Sequence, residues 1–221
     1  MLDWWLPPNV STFGGDVDRL FYLIFYITGI TWVLVQVTML VFLFLYRHRE
    51  GRKAEYSHGN TTLEILWTIV PALILIMLGF MSRATWDQIR HTHPTSPNMA
   101  VVQITAKQFN WEILYPGPDG KFDTDDDKMI ENDLHVPVNE VVRVRLTSKD
   151  VIHSFFVPSF RLKQDAVPGR VIEIWFQATQ PGVYELPCAE LCGFGHSGML
   201  GHVTVQSADE YKSWIKEQWP S

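Results

Sequence analysis

Residues 20–46, LFYLIFYITGITWVLVQVTMLVFLFLY, decide the architecture of this 221-residue chain. None of these side chains carries a charge, and aliphatic and aromatic residues make up most of the stretch. At about 1.5 Å per residue, a helix of this length exceeds the roughly 30 Å hydrocarbon core of a bilayer. The sequence therefore predicts a membrane-spanning helix over about residues 20–46.

A second apolar run, residues 65–81, follows a polar linker and lies between Glu64 and Arg83. It is just long enough to cross a bilayer as a helix. Pro71 falls inside the run, and a membrane helix tolerates proline with a kink because neighbouring groups satisfy the freed carbonyl. We predict a second span at about residues 63–82, and hence a two-helix transmembrane hairpin.

Basic residues indicate on which side of the membrane the hairpin turns. The linker at 47–60 contains Arg47, Arg49, Arg52 and Lys53. The N-terminal tail has Arg19 as its single basic residue and lacks the basic start of a signal peptide. By the positive-inside rule, the linker lies inside, and the N-terminus and everything after about Ser82 lie outside.

Beyond Met99 the sequence changes to short β-rich runs, including AVVQITA, EVVRVRLTS and RVIEIWFQAT, separated by turn-forming residues. Strands at this spacing are typical of a Greek-key sandwich. We predict a mixed fold in which residues 1–89 form a tail and the membrane hairpin, and residues 90–221 form an all-β sandwich. Ser207 and Glu210 have capping-box spacing, which predicts a short C-terminal helix.

The exported part of the chain is acidic. From Ser82 onward there are 13 Lys and Arg and 18 Asp and Glu, which gives 13 − 18 = −5. Such a domain repels nucleic acid and attracts basic partners. Association with a basic partner is therefore expected to weaken as ionic strength rises.

Metal-binding side chains are concentrated in residues 187–200, PCAELCGFGHSGML. With one upstream histidine, the sulfur and nitrogen donors are His153, Cys188, Cys192, His196 and Met199. A thioether among the donors indicates copper, because zinc sites use cysteine, histidine and carboxylate ligands. The sequence therefore predicts a copper site at this loop.

Three other arrangements of these residues remain open. Cys188 and Cys192 can form a disulfide, because both lie on the oxidising side of the membrane. A Cys2His2 zinc site also fits the residue types, although it leaves Met199 without a role. A mononuclear blue-copper site needs a single cysteine, so the second cysteine favours two metal ions.

The motif C-x-E-x-C-x3-H-x2-M, preceded by D-V-x-H-S, resembles the dinuclear CuA site of cytochrome c oxidase subunit II. The resemblance extends over almost the whole chain, through the two apolar segments, the W-T-x-x-P turn, the run QFNW and the segment LKQDAVPGR. It implies a cupredoxin-type sandwich that holds two copper ions.

The resemblance also implies the copper ligand set. The ligands are His153, Cys188, Glu190, Cys192, His196 and Met199. The two thiolates would bridge the coppers, each imidazole would bind one of them, and the thioether and the glutamate carbonyl would complete the two spheres. The Glu190 side chain would in addition bind Mg²⁺ shared with subunit I.

The function implied by the resemblance is electron transfer in a respiratory enzyme. Reduced cytochrome c would give electrons to the copper centre, which passes them to haem in subunit I, where O2 becomes water with proton pumping. The chain would act as a subunit of this proton-translocating oxidoreductase, with haem held only by the partner. Expected partners are subunit I, further oxidase subunits, a cytochrome c donor and membrane lipid.

Further residues receive roles from the same resemblance. Glu64, at the inner mouth of the second span, matches a proton-entrance carboxylate, although a glutamate there can also simply reach the interface. The family usually has W-x-W after the glutamine, where this chain has Phe109-Asn110-Trp111. Trp111 or Phe109 would then receive the electron, or the donor would dock differently. Asp150 would dock the donor, although Lys149 stands where a carboxylate is common. These departures favour a bacterial inner membrane over a mitochondrial one.

An acidic run has three open interpretations. Its members are Asp123, Asp125, Asp126, Asp127, Glu131 and Asp133, and Asp119 joins them in the calcium interpretation. It provides a negative surface for the donor, forms a solvated hairpin loop, or binds Ca²⁺ without meeting the EF-hand spacing.

Three rival classes share parts of the pattern. A quinol oxidase subunit II carries no copper and does not need these ligands. A membrane-tethered copper-handling or thiol-redox protein does not need Glu64 or the LKQDAVPGR segment. A nitrous oxide reductase has a similar copper loop but is expected to need a further catalytic domain.

Overall fold

The computed structural model describes residues 5–53, 56–92, 94–96 and 99–220. The chain divides into two compact units. One unit spans Asp16–Gln88, and the other joins the chain up to Gly15 with the residues from Ile89 onward.

The first unit consists of two long apolar helices, α1 (Gly14–Leu45) and α2 (Thr61–Arg90). Both are long and apolar enough to cross a membrane. Threonine hydroxyls within them donate to the carbonyl four residues earlier, as Thr31 does to Ile27 at 2.8 Å. Internal bonding of this kind suits a lipid environment, where no water is available as a partner.

The second unit is built from β-strands. Within the described residues there are ten strands and a C-terminal helix, α3 (Ala208–Gln218). The strands are β1 (Ala100–Lys107), β2 (Asn110–Tyr115), β3 (Lys128–Glu131), β4 (Asp133–Pro137), β5 (Val141–Ser148), β6 (His153–Val157), β7 (Leu162–Ala166), β8 (Ile172–Gln177), β9 (Gly182–Pro187) and β10 (Leu200–Gln206). They form sheets in the order β3-β2-β1-β5-β8, β4-β10-β9 and β6-β7. Pairing is antiparallel except for β1 with β5 and β4 with β10, which are parallel. Neither parallel pair is consecutive in the chain.

The core of this unit follows the two-residue period of its strands. In β1 the side chains of Val102, Ile104 and Ala106 are fully buried, while those between them are half-buried. Because successive side chains of a strand point to opposite faces, this alternation presents one face of the five-stranded sheet to the core. Trp111 and Phe155 add the largest buried rings close to the predicted metal loop.

The segment before α1 also belongs to the β unit. The Val10 amide donates to the Ser159 carbonyl at 2.9 Å, and the Thr179 amide donates to the Val10 carbonyl at 2.8 Å. Phe13 is fully buried, with its ring 5.4 Å from that of Trp175. The sequence had grouped this segment with the membrane hairpin, because its few apolar residues give no periodic signal.

The predicted C-terminal helix is present as α3. The Ser207 hydroxyl accepts from the Glu210 amide, and the Glu210 carboxylate accepts from the Ser207 amide at 2.9 Å. This capping box satisfies amides that the first turn leaves without a partner. The helix buries Trp214, whose ring packs against Tyr115 and His135 at 5.1 and 4.6 Å.

Candidate metal centre

The metal loop, residues 188–199, connects two paired strands of the three-stranded sheet. Cys188 follows β9 and Met199 precedes β10, and the Cys188 amide donates to the Met199 carbonyl at 3.0 Å. The loop also lies against β6, because the Ala189 amide donates to the Ser154 carbonyl at 3.0 Å. Both ends of the loop are thereby fixed to strands, beside His153 at the start of β6.

The donor atoms form two halves around a pair of sulfurs. The Sγ atoms of Cys188 and Cys192 are 3.9 Å apart. Around Cys188 lie the His153 Nδ1 at 3.8 Å and the Glu190 carbonyl oxygen at 3.3 Å. Around Cys192 lie the His196 Nδ1 at 3.6 Å and the Met199 Sδ at 3.9 Å.

These distances suit shared metal ions. Two donors that each bond one metal at about 2.0–2.3 Å lie at most about 4.6 Å apart, and every neighbouring pair in the cluster meets this limit. A disulfide needs its sulfurs about 2.05 Å apart, whereas both cysteines here are free. The ligand set predicted from the sequence is thus brought together in one place.

Burial makes the Cys192 thiol a poor anion without a cation. Cys188, Cys192 and Met199 are buried, and His153 is completely enclosed. Burial and the neighbouring Cys188 raise the pKa of the Cys192 thiol to about 11. A bound metal ion reverses this effect, because thiolate ligands are stabilised by its positive charge.

Asp150 holds the imidazole of His153 from behind. The His153 Nε2 lies 2.8 Å from the Asp150 Oδ1, which leaves Nδ1 directed at the Cys188 sulfur. Asp150 also accepts from the amides of Gln108 and Val151 at 2.7 and 2.6 Å. Burial raises the pKa of Asp150, but these hydrogen bonds lower it more, to about 2. The sequence had predicted donor docking for this residue and missed its contact with the histidine.

The two candidate electron-receiving aromatics lie at different depths. Trp111 is fully buried, with its ring edge-on to His153 at 6.3 Å. Phe109 is 39% exposed and packs beneath the loop glycines. A Cβ added at Gly195 would lie 2.6 Å from the Phe109 ring, and one at Gly193 would lie 3.2 Å from it. Phe109 is therefore the surface residue of the pair, and Trp111 lies behind His153, a predicted metal ligand.

A charge cluster around one buried carboxylate was not predicted. The Glu112 carboxylate is almost fully enclosed and lies 2.6 Å from the ammonium groups of both Lys107 and Lys149. Burial raises the pKa of Glu112, but the two lysines lower it more. Lys149 thus pairs with Glu112. The sequence signal for this pair was a lysine at a position where a carboxylate is common in the family.

Two other predicted residues occupy quite different surroundings. The Glu190 carbonyl faces the sulfur of Cys188, while the residue itself is exposed, which leaves the carboxylate accessible from outside. Glu64 lies in the first turn of α2, where its amide donates to the Asn60 carbonyl at 3.0 Å.

The loop part of the acidic run, residues 119–127, lies away from the metal centre, whereas Glu131 pairs with Glu112 in the strand register and lies at the nearer end of β2. This loop connects β2 to β3 after Tyr115, whereas the β1–β2 turn touches the metal loop where Gln108 Nε2 donates to the Cys192 carbonyl at 2.5 Å. The length of β2, about 17 Å, separates the two ends. Within the loop, Asp127 accepts from the Asp123 amide at 2.7 Å.

Comparison with known families decides the relationship. The family model of the cytochrome c oxidase subunit II transmembrane domain matches residues 4–85, and that of the periplasmic domain matches residues 103–207. The chain belongs to the subunit II family of haem-copper oxidases. It is therefore a membrane protein, as its two apolar helices predicted.

Similar proteins include bacterial subunits of the same name. The chain is 33% identical to the alternative cytochrome c oxidase subunit 2 of Bradyrhizobium diazoefficiens, over 97% of this chain and 84% of that one. It is 30% identical to the cytochrome c oxidase subunit 2 of Thermostichus vulcanus, over 96% and 78%. The crystal structure of the periplasmic domain of subunit II of cytochrome oxidase from Bradyrhizobium japonicum is 34% identical, with a TM-score of 0.50 over 57% of this chain and 96% of that domain. The predicted family and fold class, two apolar helices followed by a cupredoxin-like domain, are confirmed.

Proposed function

We propose that this chain is the copper-carrying, electron-receiving subunit of a cytochrome c oxidase in a bacterial inner membrane. The observation that carries the proposal is the pair of sulfurs 3.9 Å apart, each with its own histidine nitrogen. A donor set in two similar halves suits two metal ions that share both sulfurs better than it suits one. Copper is favoured because a thioether is among the donors.

Copper bound at this place supplies reversible one-electron chemistry. The task of the residues is to hold the donor atoms in nearly the same positions in both oxidation states. The hydrogen bond that closes the metal loop from Cys188 to Met199 and the bond from His153 to Asp150 serve this purpose. Enclosure of both cysteines also excludes water from the centre.

The chain works with an electron donor, an electron acceptor and further oxidase subunits. A c-type cytochrome gives its electron at the end of the sandwich where Phe109 is exposed, and subunit I receives it at haem, with further oxidase subunits completing the enzyme. The exposed carboxylate of Glu190 serves a Mg²⁺ ion shared with subunit I. Glu64 serves proton entrance from the inner side, and the domain from about residue 90 lies in the periplasm.

Metal content and electron paramagnetic resonance of the full chain in detergent test the copper centre. We expect two coppers per chain and a hyperfine pattern from one electron shared over both nuclei. Cys192→Ser should abolish the pattern, whereas Ser197→Ala, an exposed change on the same loop, should leave it unchanged. One copper, zinc, or a disulfide between Cys188 and Cys192 would contradict the proposal.

A further inference from the structure

Three turns meet at the end of the sandwich that carries the metal centre. The β1–β2 turn contains Gln108, whose amide donates to the Asp150 carboxylate in the β5–β6 turn at 2.7 Å. The side chain of Gln108 donates to the Cys192 carbonyl of the metal loop at 2.5 Å. These bonds join the turns into one surface directly above the donor atoms.

The exposed part of this surface is apolar. Phe194, between the two glycines that cover Phe109, is fully exposed, with a relative accessibility of 106%. Val151 and Ile152 on the β5–β6 turn are also exposed. We call Phe109, Val151, Ile152 and Phe194 the electron-receiving face. The ring of Phe194 contributes nothing to the core, and a group of exposed apolar side chains on adjoining turns indicates a contact with another molecule.

The lysines near this face are paired with carboxylates. Glu112 lies 2.6 Å from both Lys107 and Lys149, and Glu131 lies 3.4 Å from Lys107, so two carboxylates face two ammonium groups. The Asp150 carboxylate accepts hydrogen bonds from the amides of Gln108 and Val151. The acidic loop between β2 and β3 starts at the far end of β2, about 17 Å away. The net charge of the domain is therefore a poor guide to the charge that a partner meets at the metal centre.

We infer that the donor docks on the electron-receiving face through apolar contact centred on Phe194, and that its haem edge is bordered by apolar and uncharged groups. This inference rests on the proposed function and names the chemistry of its partner. Electron tunnelling weakens steeply with distance, so the donor has to contact the surface nearest the copper ligands. That surface offers an aromatic ring, and its carboxylates Glu112 and Glu131 are already paired with lysines, which favours an apolar partner over one ringed by lysines.

The test uses the complete oxidase, a basic soluble cytochrome c, and the same cytochrome with its lysines acetylated. Steady-state oxidation of each is measured between low and physiological ionic strength. The inference predicts that KM for the two forms differs by less than about threefold and changes little with salt, because apolar contact is not screened. A tenfold or larger loss on acetylation, or a steep fall with salt, would overturn it.

Substitution of Phe194 provides a second test of the docking inference. Phe194→Ser should raise KM about tenfold with little change in kcat, as for a central aromatic contact residue, while Phe194→Leu keeps most of the affinity. Val183→Ser is the control, because Val183 is also apolar and exposed but lies at the other end of β9 from Cys188. An unchanged KM in Phe194→Ser contradicts the inference, and so does weakened retention of the chain in the complex, since Phe194 would then contact another subunit.

Failure of the inference can be told apart from failure of the proposed function. Reduction of the copper centre by ascorbate with a small mediator needs no docking, and its rate should be the same in wild type and in Phe194→Ser. If this reagent reduces no copper in the wild type, the proposed function fails. If ascorbate with the mediator does reduce the copper, and only the experiments with cytochrome c contradict the expectation, the docking inference alone fails.

Discussion

At the scale of single residues, Asp150 is the clearest test of how the metal centre is held. Asp150→Ala leaves the His153 Nε2 without its acceptor, so we expect the apparent copper affinity to fall about 10- to 100-fold. Asp150→Asn keeps an acceptor oxygen and should lose less. Copper retention against a graded chelator measures the effect.

The control for this change is Asp125→Asn, which removes the same charge from an exposed position in the acidic loop. Its copper retention should equal that of the wild type. Equal retention in Asp150→Ala as well would show that the bond to His153 does not position the ligand.

Gly195 and Gly198 form a matched pair on the same loop. A Cβ at Gly195 would meet the Phe109 ring at 2.6 Å, whereas a Cβ at Gly198 has nothing within 4 Å. Gly195→Ala must therefore displace the ring or the loop and should cost about 1–3 kcal/mol of unfolding free energy. Gly198→Ala should be nearly neutral.

Chemical denaturation of the copper-loaded chain, followed by the visible absorbance of the centre, measures the difference within this pair. Equal stability of the two variants would mean that the contact between the loop and Phe109 is loose.

At the scale of elements, the Glu112 cluster joins β1 and β2 to the turn after β5. Glu112→Gln removes the charge that both lysines share, and we expect it to cost about 1–3 kcal/mol at neutral pH. Because the folded-state pKa of Glu112 is lowered, its contribution is fully present above the ordinary carboxyl pKa of about 4.3 and decreases as the pH falls below it.

The difference in unfolding free energy between wild type and Glu112→Gln should accordingly shrink at acidic pH. Glu131→Gln is the control, because Glu131 is half-exposed and contacts Lys107 at 3.4 Å. A difference that stays constant down to pH 3 would show that packing, rather than charge, stabilises this position.

The sequence predicted elements well where the signal is local. Hydropathy placed the spans at about 20–46 and 63–82, and the helices extend to Gly14–Leu45 and Thr61–Arg90. The longer ends are polar, because backbone hydrogen bonds continue past the lipid-facing stretch and pairs such as Arg83 with Asp87 support the last turns. Hydropathy detects contact with lipid, and the helix itself does not end where that contact ends.

For the metal centre, the sequence likewise predicted what depends on local spacing and missed what depends on contacts distant in the chain. The loop donors follow from their spacing within a few residues, and the structure gathers them around two sulfurs. The bond of His153 to Asp150 was within reach of the sequence, since three residues separate them, but nothing in the pattern fixes the direction of the ring. Pairing of Glu112 with Lys149 depends on long-range strand register, which single-sequence patterns do not contain.

At the scale of the whole molecule, the distribution of charge predicts how the chain crosses the membrane. Two spans place the N-terminus and the β unit on one side and the linker, with its four basic residues, on the other. In spheroplasts, Asp125→Cys should react with a membrane-impermeant maleimide. Ser57→Cys should react only after lysis.

The native thiols give little background in this experiment, because Cys188 and Cys192 are both buried, and the unsubstituted chain measures what remains. Labelling of Ser57→Cys in intact spheroplasts would reverse the orientation and place the metal centre inside the cell. A donor outside the cytoplasm could not then reach the electron-receiving face, so this orientation is a condition for every step proposed for the chain.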